Sequence, residues 1–411
     1  MMNNLKNKIL FFTPIFPPQY SGATFQAITL AHELRKQNVE VSFLAFRDVP
    51  ANISFAKFTK EQFNGFSVCI VPVKGLARIV EGKCGLLTYS LLIIRLFIAI
   101  YSIRHDYLII HCHLLGFPFT VLSVIGKLLN KKVVAKATML DDICFEQFGN
   151  ISGKINRYFV LLFDKIISIS SEIAVAMASA GIPSDKIENI SNAVDIFRFH
   201  PIDNDGKINL KRKLNITENF IFIFIGGVTY RKGVDKLIQI WVEFAKIYHD
   251  TKLFIVGPRS THEGAMGDQY CTDVILSYLQ QNGLSDKVQL TGNIENVVSY
   301  LQMSDVFLFP STLEGMPNVV LEAMACGLPV VTYNVSGISD IITNGFDGEI
   351  INLNDNDSFL HSIISLYEDR HKCKLYSERA RLTICDQFNV ANIANKYKVL
   401  YKKLLLKDNN Q

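Results

Sequence analysis

The chain carries little charge for its size: 19% of its 411 residues are Asp, Glu, Lys or Arg, against 49% hydrophobic. That balance excludes a disordered segment, because so much apolar surface can close a core, and the length suits two or three domains, with two the first expectation. No sign dominates either. Lys+Arg 42 against Asp+Glu 38 leaves a formal charge of +4, too mild to point to nucleic acid as a partner. The eight cysteines (Cys69, Cys84, Cys112, Cys144, Cys271, Cys326, Cys373 and Cys385) include no C-x-x-C pair. Neither a zinc ribbon nor a disulfide framework is indicated, and the thiols are expected to be buried or incidental in a reducing cytoplasm. Repeats, low-complexity segments, the G-x-x-x-x-G-K-[ST] string and the G-x-G-x-x-G spacing are all missing, which removes the usual support for nucleotide hydrolysis and nicotinamide chemistry. The amino terminus, MMNNLKNKILFFTPIFPP, lacks a small-residue cleavage site after its short apolar run and does not read as a signal peptide. The longest apolar stretch, Leu86 to Ile103, is interrupted by Arg95, which argues against spanning a bilayer. It is expected to be a helix buried within a domain, with shallow insertion into a membrane surface as the alternative.

What is present is alternation. Strand-length apolar runs (Lys8 to Phe12, Val39 to Phe46, Ser67 to Val71, Tyr107 to His111, Val133 to Thr138, Lys165 to Ser170) are separated by longer segments of helical period. The second half repeats the pattern at Phe220 to Ile225, Lys252 to Val256, Val288 to Leu290, Val306 to Phe309 and Pro329 to Thr332. This is the signature of parallel βαβ units, one sheet per half. FIFIFI at Phe220 to Ile225 is apolar at every position, so it is expected to be covered on both faces and to open the second domain. The polar, Gly/Pro-punctuated segment from Phe197 to Asn209 is expected to be the linker. Residues 1–200 hold 21 basic and 14 acidic side chains, net +7, and the remainder 21 and 24, net −3. A basic first half suits an anionic substrate or membrane surface as well as it suits scattered solvated lysines.

The stretch VFLFPSTLEGMPNVVLEAMACGLPVV, Val306 to Val331, reads as strand, loop, helix, turn, strand. Pro317 fits a first helical turn, and Gly327 with Pro329 a helix stop, so the helix is expected from about Pro317 to Cys326. Glu314 then lies in the loop at the carboxyl end of a parallel strand and Glu322 within the helix. That edge, with a helix N-terminus facing it, suits a phosphorylated or diphosphate ligand. Equally, Glu314 can be an acid favoured by the helix dipole and Glu322 a solvated residue. After FIFIFI comes GGVTYRKGVDKLI, in which Gly226 and Gly227 allow close backbone approach and Arg231 with Lys232 can neutralise phosphate oxygens, or can be solvated helix-start charges. His111 and His113 flank Cys112 at a strand end, but no third ligand follows at a recognised spacing, so no metal is assigned and packing or hydrogen bonding is expected of them.

Together these segments resemble a retaining glycosyltransferase of family 4 with the GT-B fold (glycosyl transferases group 1). The resemblance rests on the E-x7-E spacing of Glu314 and Glu322, on RKGVDKLI, on SISSEIAVAMASAGIPSDKIENISNAVDIFRFHP, and more diffusely on KILFFTPIFPPQYSGATFQAITLAHELRKQNVEVSFLAF. It implies an α/β protein of two Rossmann-like domains facing a cleft: an acceptor-side domain 1–197, a nucleotide-sugar domain 198–385, and a final helix 386–411 that returns to the first. It also implies transfer of a sugar from a nucleotide-diphosphate sugar, without cofactor or metal, to a glycan or lipid-linked acceptor in cell-surface polysaccharide biosynthesis. The expected place is the cytoplasm or the cytoplasmic face of the membrane, with an anionic membrane surface as a candidate partner for the basic half. By motif match Glu322 holds the ribose hydroxyls, Glu314 with Gly315, Met316, Pro317 and Asn318 lines sugar and diphosphate, Lys232 contacts diphosphate oxygens, and Gly22 lies in the amino-terminal loop near those phosphates. Lys232, Arg231 and loop N–H groups would stabilise the leaving group.

Two places depart from the pattern. Where an Arg often follows the first glycine of the donor domain, this chain has Gly227, and Arg231 is the arginine at hand. Where a histidine often closes a first-domain strand, the sequence reads VVAKATMLDDICF, leaving Thr138, Asp141 or Asp142 to face the cleft, with Thr138, Asp142 and His113 the candidates for acceptor or sugar contacts. Asp141 and Asp142 also fit loop or cap roles. A nucleotide-sugar epimerase of the same architecture, or a non-catalytic nucleotide-sugar binding protein, are the competing expectations.

Overall fold

Runs of β-branched and aromatic residues form the strands of two separate sheets in a computed structural model, which describes residues 8–19, 21–49, 58–80, 85–116, 119–143, 150–263 and 267–406. The chain divides into two compact units, residues 1–192 with 390–411, and residues 193–389. The changeovers at 192/193 and 389/390 stand against expected boundaries at 197/198 and 385/386.

The first unit holds an eight-stranded sheet of order β3-β4-β2-β1-β5-β6-β7-β8. Its strands are β1 (Lys8–Thr13), β2 (Glu40–Asp48), β3 (Thr59–Phe63), β4 (Phe66–Val73), β5 (Ile109–Cys112), β6 (Lys132–Ala137), β7 (Lys165–Ser168) and β8 (Ile187–Asn189). All neighbours pair in parallel except β3 and β4. β1 is central, with Ile9 facing Val41 on one side and Ile109 on the other. Ile9, Leu10, Phe11 and Phe12 are fully buried, as a strand covered on both faces requires. The helix Gly22–Lys36 starts where Ser21 accepts a hydrogen bond from the Thr24 N–H, and it buries Ala27, Leu30, Ala31 and Leu34. The last helix, Val390–Leu406, packs against it: the Gln37 amide donates to the Ala391 carbonyl at 3.1 Å and Lys398 Nζ to the Gln37 carbonyl at 3.0 Å.

The helix Leu86–Ser102 forms, but the expectation that it is buried needs correction. Tyr89, Leu92, Leu96, Ala99 and Ile100 are buried, whereas Leu87, Leu91, Ile94, Ile98 and Tyr101 are exposed. Its composition is apolar all round, yet the sheet has room for only one face.

The second unit holds β9 (Phe220–Ile225), β10 (Thr251–Val256), β11 (Val288–Gly292), β12 (Val306–Phe309), β13 (Val330–Tyr333) and β14 (Gly348–Ile351), all parallel, in the order β11-β10-β9-β12-β13-β14. All six residues of β9 are buried, and Trp241 of the helix Val234–Ala245 packs edge-on against Phe222 at 5.3 Å. The expected linker is shorter than proposed. From Asn204 the chain is already helical, capped by Asp203, and Lys207 ties this helix to Asp305 at 2.5 Å. Cys69, Cys112, Cys271, Cys326 and Cys373 are buried free thiols and Cys385 is half-buried. Cys84 and Cys144 lie outside the described residues. No described helix is long and apolar enough to cross a membrane.

Candidate active site in the second unit

In the second sheet the chain builds from β9 outward through β10 and β11, then returns to β9's other side with β12 and continues to β13 and β14. The connection therefore reverses between β9 and β12. In an open parallel sheet the loops leaving such a pair diverge to opposite faces and leave a crevice at the strands' carboxyl ends. Both candidate loops, 226–233 after β9 and 310–317 after β12, lie there.

The two loops are pinned together. Gly233 has φ +68°, and a Cβ on it would sit 2.1 Å from the Pro310 carbonyl oxygen, so only glycine permits this approach. Thr229 accepts a hydrogen bond from the Lys232 N–H, and Thr312 donates from its N–H to the Arg231 carbonyl at 3.0 Å. A third loop closes in from β13. Gly337, at φ +78°, would place a Cβ 2.2 Å from the Gly315 carbonyl oxygen. Gly226 and Gly227 follow β9 directly, and the Gly226 N–H donates to the Val256 carbonyl of β10 at 2.9 Å.

This brings Glu314, Lys232 and Arg231 together. Lys232 Nζ donates to Glu314 Oε1 at 2.5 Å, and Arg231 Nη1 lies 3.6 Å from the same oxygen while donating to the Leu313 carbonyl at 2.8 Å. Lys232 and Glu314 are nearly buried; Arg231 is the more open of the three. Burial pulls the Lys232 ammonium below its ordinary range, and the Glu314 carboxylate beside it opposes that pull. One carboxylate against two cations leaves the cluster net positive. The helix Asn318–Ala325 begins just beyond, with Pro317 at the N-cap rather than in the first turn, and adds the positive end of its dipole. Gly315, Met316 and Pro317 are buried in the intervening turn and Asn318 is half-buried. Such a cluster suits a doubly charged phosphate ligand. Glu322, one turn into the helix, has its carboxyl pushed up to about 7 by burial, with Arg198 opposing.

Sequence reasoning missed Ser311, which is buried and donates to Glu314 Oε1 at 2.6 Å, and Phe309, whose ring centroid is 5.5 Å from Lys232 Nζ. The three-residue separation of Ser311 and Glu314 puts hydroxyl and carboxylate within reach across one turn and offered the signal for the first. Nothing in the sequence marked the second.

The remaining candidates belong to the first unit. Gly22 is exposed at the first position of its helix. Asp142 Oδ2 accepts from the Thr138 N–H at 2.7 Å, the Thr138 hydroxyl at 3.0 Å and the Met139 N–H at 3.1 Å, so both candidates bind each other across the turn after β6. His113 is 1% exposed and stacks on His111 at 4.2 Å, which makes it an interior group rather than a surface contact for an acceptor. Burial holds both imidazoles well below their ordinary pKa and therefore neutral. His111 Nδ1 shares a 2.6 Å hydrogen bond with the Tyr401 hydroxyl. Among the described residues no group of three or more His, Cys, Asp or Glu side chains is placed to hold a metal ion.

Comparison with known proteins adds to this geometry. Residues 206–383 match the family model described as Glycosyl transferases group 1, and residues 20–198 the one described as Glycosyltransferase Family 4. The UDP-Gal:alpha-D-GlcNAc-diphosphoundecaprenol alpha-1,3-galactosyltransferase of Escherichia coli is 32% identical over 218 residues, 53% of this chain and 54% of that protein. This chain thus spans about half the length of that relative. The N-acetyl-alpha-D-glucosaminyl L-malate synthase of Bacillus anthracis is 27% identical over 312 residues, 75% of this chain and 77% of that one. Among solved structures, HepE of Anabaena in complex with UDP superposes with a TM-score of 0.75 at 17% identity, covering 96% of this chain and 100% of its own.

Proposed function

Because this chain belongs to the family 4 glycosyltransferases, with the GT-B fold and a group 1 module as its second unit, we propose that it transfers a sugar, with retention at the anomeric carbon, from a nucleoside-diphosphate sugar to a lipid-linked glycan acceptor. The observation that carries the proposal is the convergence of Lys232, Arg231 and Glu314 on the switch point between β9 and β12. The galactosyltransferase relative is named for a UDP-sugar donor and a diphosphoundecaprenol acceptor, and UDP occupies one structural neighbour, so uridine diphosphate is the first donor nucleotide to test.

The chemistry follows from where charge grows. As the bond from the anomeric carbon to the β-phosphate oxygen breaks, negative charge collects on the leaving diphosphate and positive charge on the sugar ring. Lys232 and Arg231 oppose the first change, and the helix dipole at Pro317–Asn318 adds to them. Without donor, Glu314 holds the Lys232 ammonium; an arriving diphosphate takes that ammonium and leaves the carboxylate to Ser311 and to the sugar. The acceptor hydroxyl attacks from the face the diphosphate is leaving, its proton passes to a β-phosphate oxygen, and the new glycosidic bond forms with the old configuration. Glu322 receives the ribose hydroxyls. Donor recognition is thus assigned to the second unit and acceptor recognition to the first, where Thr138 and Asp142 remain candidates.

The test is a thermal-shift panel of nucleoside diphosphates and their sugars, because a ligand that binds only the folded state raises its apparent stability. One nucleoside diphosphate should stabilise the protein above the rest. Its sugar should then be transferred to a diphosphoprenol-linked glycan, with product configuration read by NMR. No stabilisation by any nucleotide, or conversion of the donor to its epimer without acceptor, would overturn the proposal.

A further inference from the structure

The outward face of the helix Leu86–Ser102 has no account in the donor site. Leu87, Leu91, Ile94, Ile98 and Tyr101 recur at intervals of four and three residues, which places them in one line along the helix. They are between 38% and 74% exposed, while Tyr89, Leu92, Leu96, Ala99 and Ile100 on the opposite side are buried towards β4. At 1.5 Å per residue the stripe runs about 21 Å. The charges on the helix and at its ends are mostly basic, although Asp106 follows two residues after Arg104. The helix contains no carboxylate, Arg95 lies half-buried beside Ile94, and the Arg104 guanidinium sits 3.9 Å over the Tyr101 ring at the end of the stripe. From Lys74 to Arg104 the basic residues are Lys74, Arg78, Lys83, Arg95 and Arg104, against Glu81 alone.

We propose that this stripe docks the first unit on a lipid surface bearing anionic headgroups, with the helix lying in the plane of the interface. The inference deepens the proposed use of a lipid-linked acceptor by naming the surface that brings the enzyme to it. Apolar residues along one line enter the acyl boundary, while flanking arginines and a tyrosine tip stay among the headgroups. The inner face is committed to the sheet, so the helix can lie on the bilayer but has no second face with which to cross it. The charge pattern favours lipid over a second copy of the chain. The spacing would also suit a helix pair, but Arg95 stands near the helix midpoint, so an antiparallel symmetric pair would bring two arginines together with no acid on either helix to separate them.

The experiment is co-sedimentation of the full chain with vesicles of phosphatidylcholine alone or mixed with phosphatidylglycerol, in the absence of any sugar donor. Wild type should sediment with the anionic vesicles and not with the neutral ones, less so at high salt. The double variant Ile94→Glu/Ile98→Glu should lower the bound fraction at least about tenfold. Its circular dichroism, nucleotide thermal shift and transfer to a water-soluble acceptor should stay at wild-type levels, since neither residue is in the donor site. Failure of wild type to bind anionic vesicles, or binding unchanged in the double variant, would overturn the docking. So would a dimer, seen by sedimentation equilibrium, that the double variant dissociates. Absence of wild-type docking with transfer to the soluble acceptor intact refutes this inference alone; vesicle binding without any transfer refutes the proposed activity alone.

Discussion

Glu322→Gln separates what the fold wants from what the site needs. The Glu322 carboxyl is displaced from its ordinary 4.5 to about 7 because burial penalises the charged form more than Arg198 repays it. With the folded pKa above the unfolded one, the fold prefers the neutral acid. Below about 4.5 the group is protonated in both states and carries no penalty. As pH rises through the window from 4.5 to about 7 the unfolded chain ionises first, and folding stability falls until the native carboxyl ionises as well. Above that window the loss is roughly 3 kcal/mol, at about 1.4 kcal/mol per pKa unit. Glutamine has the same shape without the charge. The variant should therefore melt higher than wild type at pH 8, on the order of 5 °C for a chain of this size, and the two melting curves should meet near pH 4.5. The same change should weaken nucleotide binding, because a carboxylate accepts from two ribose hydroxyls where an amide oxygen accepts less strongly. The assay is thermal unfolding from pH 4.5 to 8.5 with and without nucleoside diphosphate. A variant no more stable than wild type at pH 8, with an unaltered pH profile, would show that Glu322 is not held as a strained carboxylate.

Two further predictions concern the loops that meet at the switch point. On the proposed function Lys232→Ala removes a donor to the leaving diphosphate, and kcat should fall by about 10²–10³ while circular dichroism stays unchanged, as single-turnover and spectroscopic measurements would check. Gly233→Ala forces a Cβ against the Pro310 carbonyl at a left-handed φ, so it should lower Tm and reduce donor affinity together; a normal Tm would mean the two loops are not pinned as described.

The fold was legible where burial is two-sided. β9, with six apolar residues in a row, and β1, with four fully buried ones, announce themselves because a strand covered on both faces needs no alternation to be recognised. β3, β8 and β14 were not anticipated. β3 reads TKEQF, a polar edge strand whose one partner among the described strands is β4; β8 has three residues; β14 begins with a glycine and a glutamate. Each is held by a neighbour already in place, and pairing of that kind leaves almost no trace in local sequence. The helix Leu86–Ser102 misled in the opposite direction. A run apolar on every side looks like an interior helix, and only its packing against β4 shows that Leu87, Leu91, Ile94, Ile98 and Tyr101 stay exposed.

At the site, composition exposed the charges and topology supplied the reason they meet. Glu314 and Lys232 are 82 residues apart, and no spacing rule links them. They touch because β9 and β12 are adjacent while their chain connections run to opposite sides of the sheet, so the loops leaving both strands share one crevice. The absence of an arginine at Gly227 then loses its force as an objection. Arg231, four residues further on, reaches the Leu313 carbonyl and the edge of Glu314 from a turn that Thr229 caps and Gly233 closes. A cation placed at the end of that turn, instead of at its start, still meets the loop that leads into the helix beginning at Asn318, and on the proposed function that geometry rather than the position in the string is what an anionic leaving group would meet.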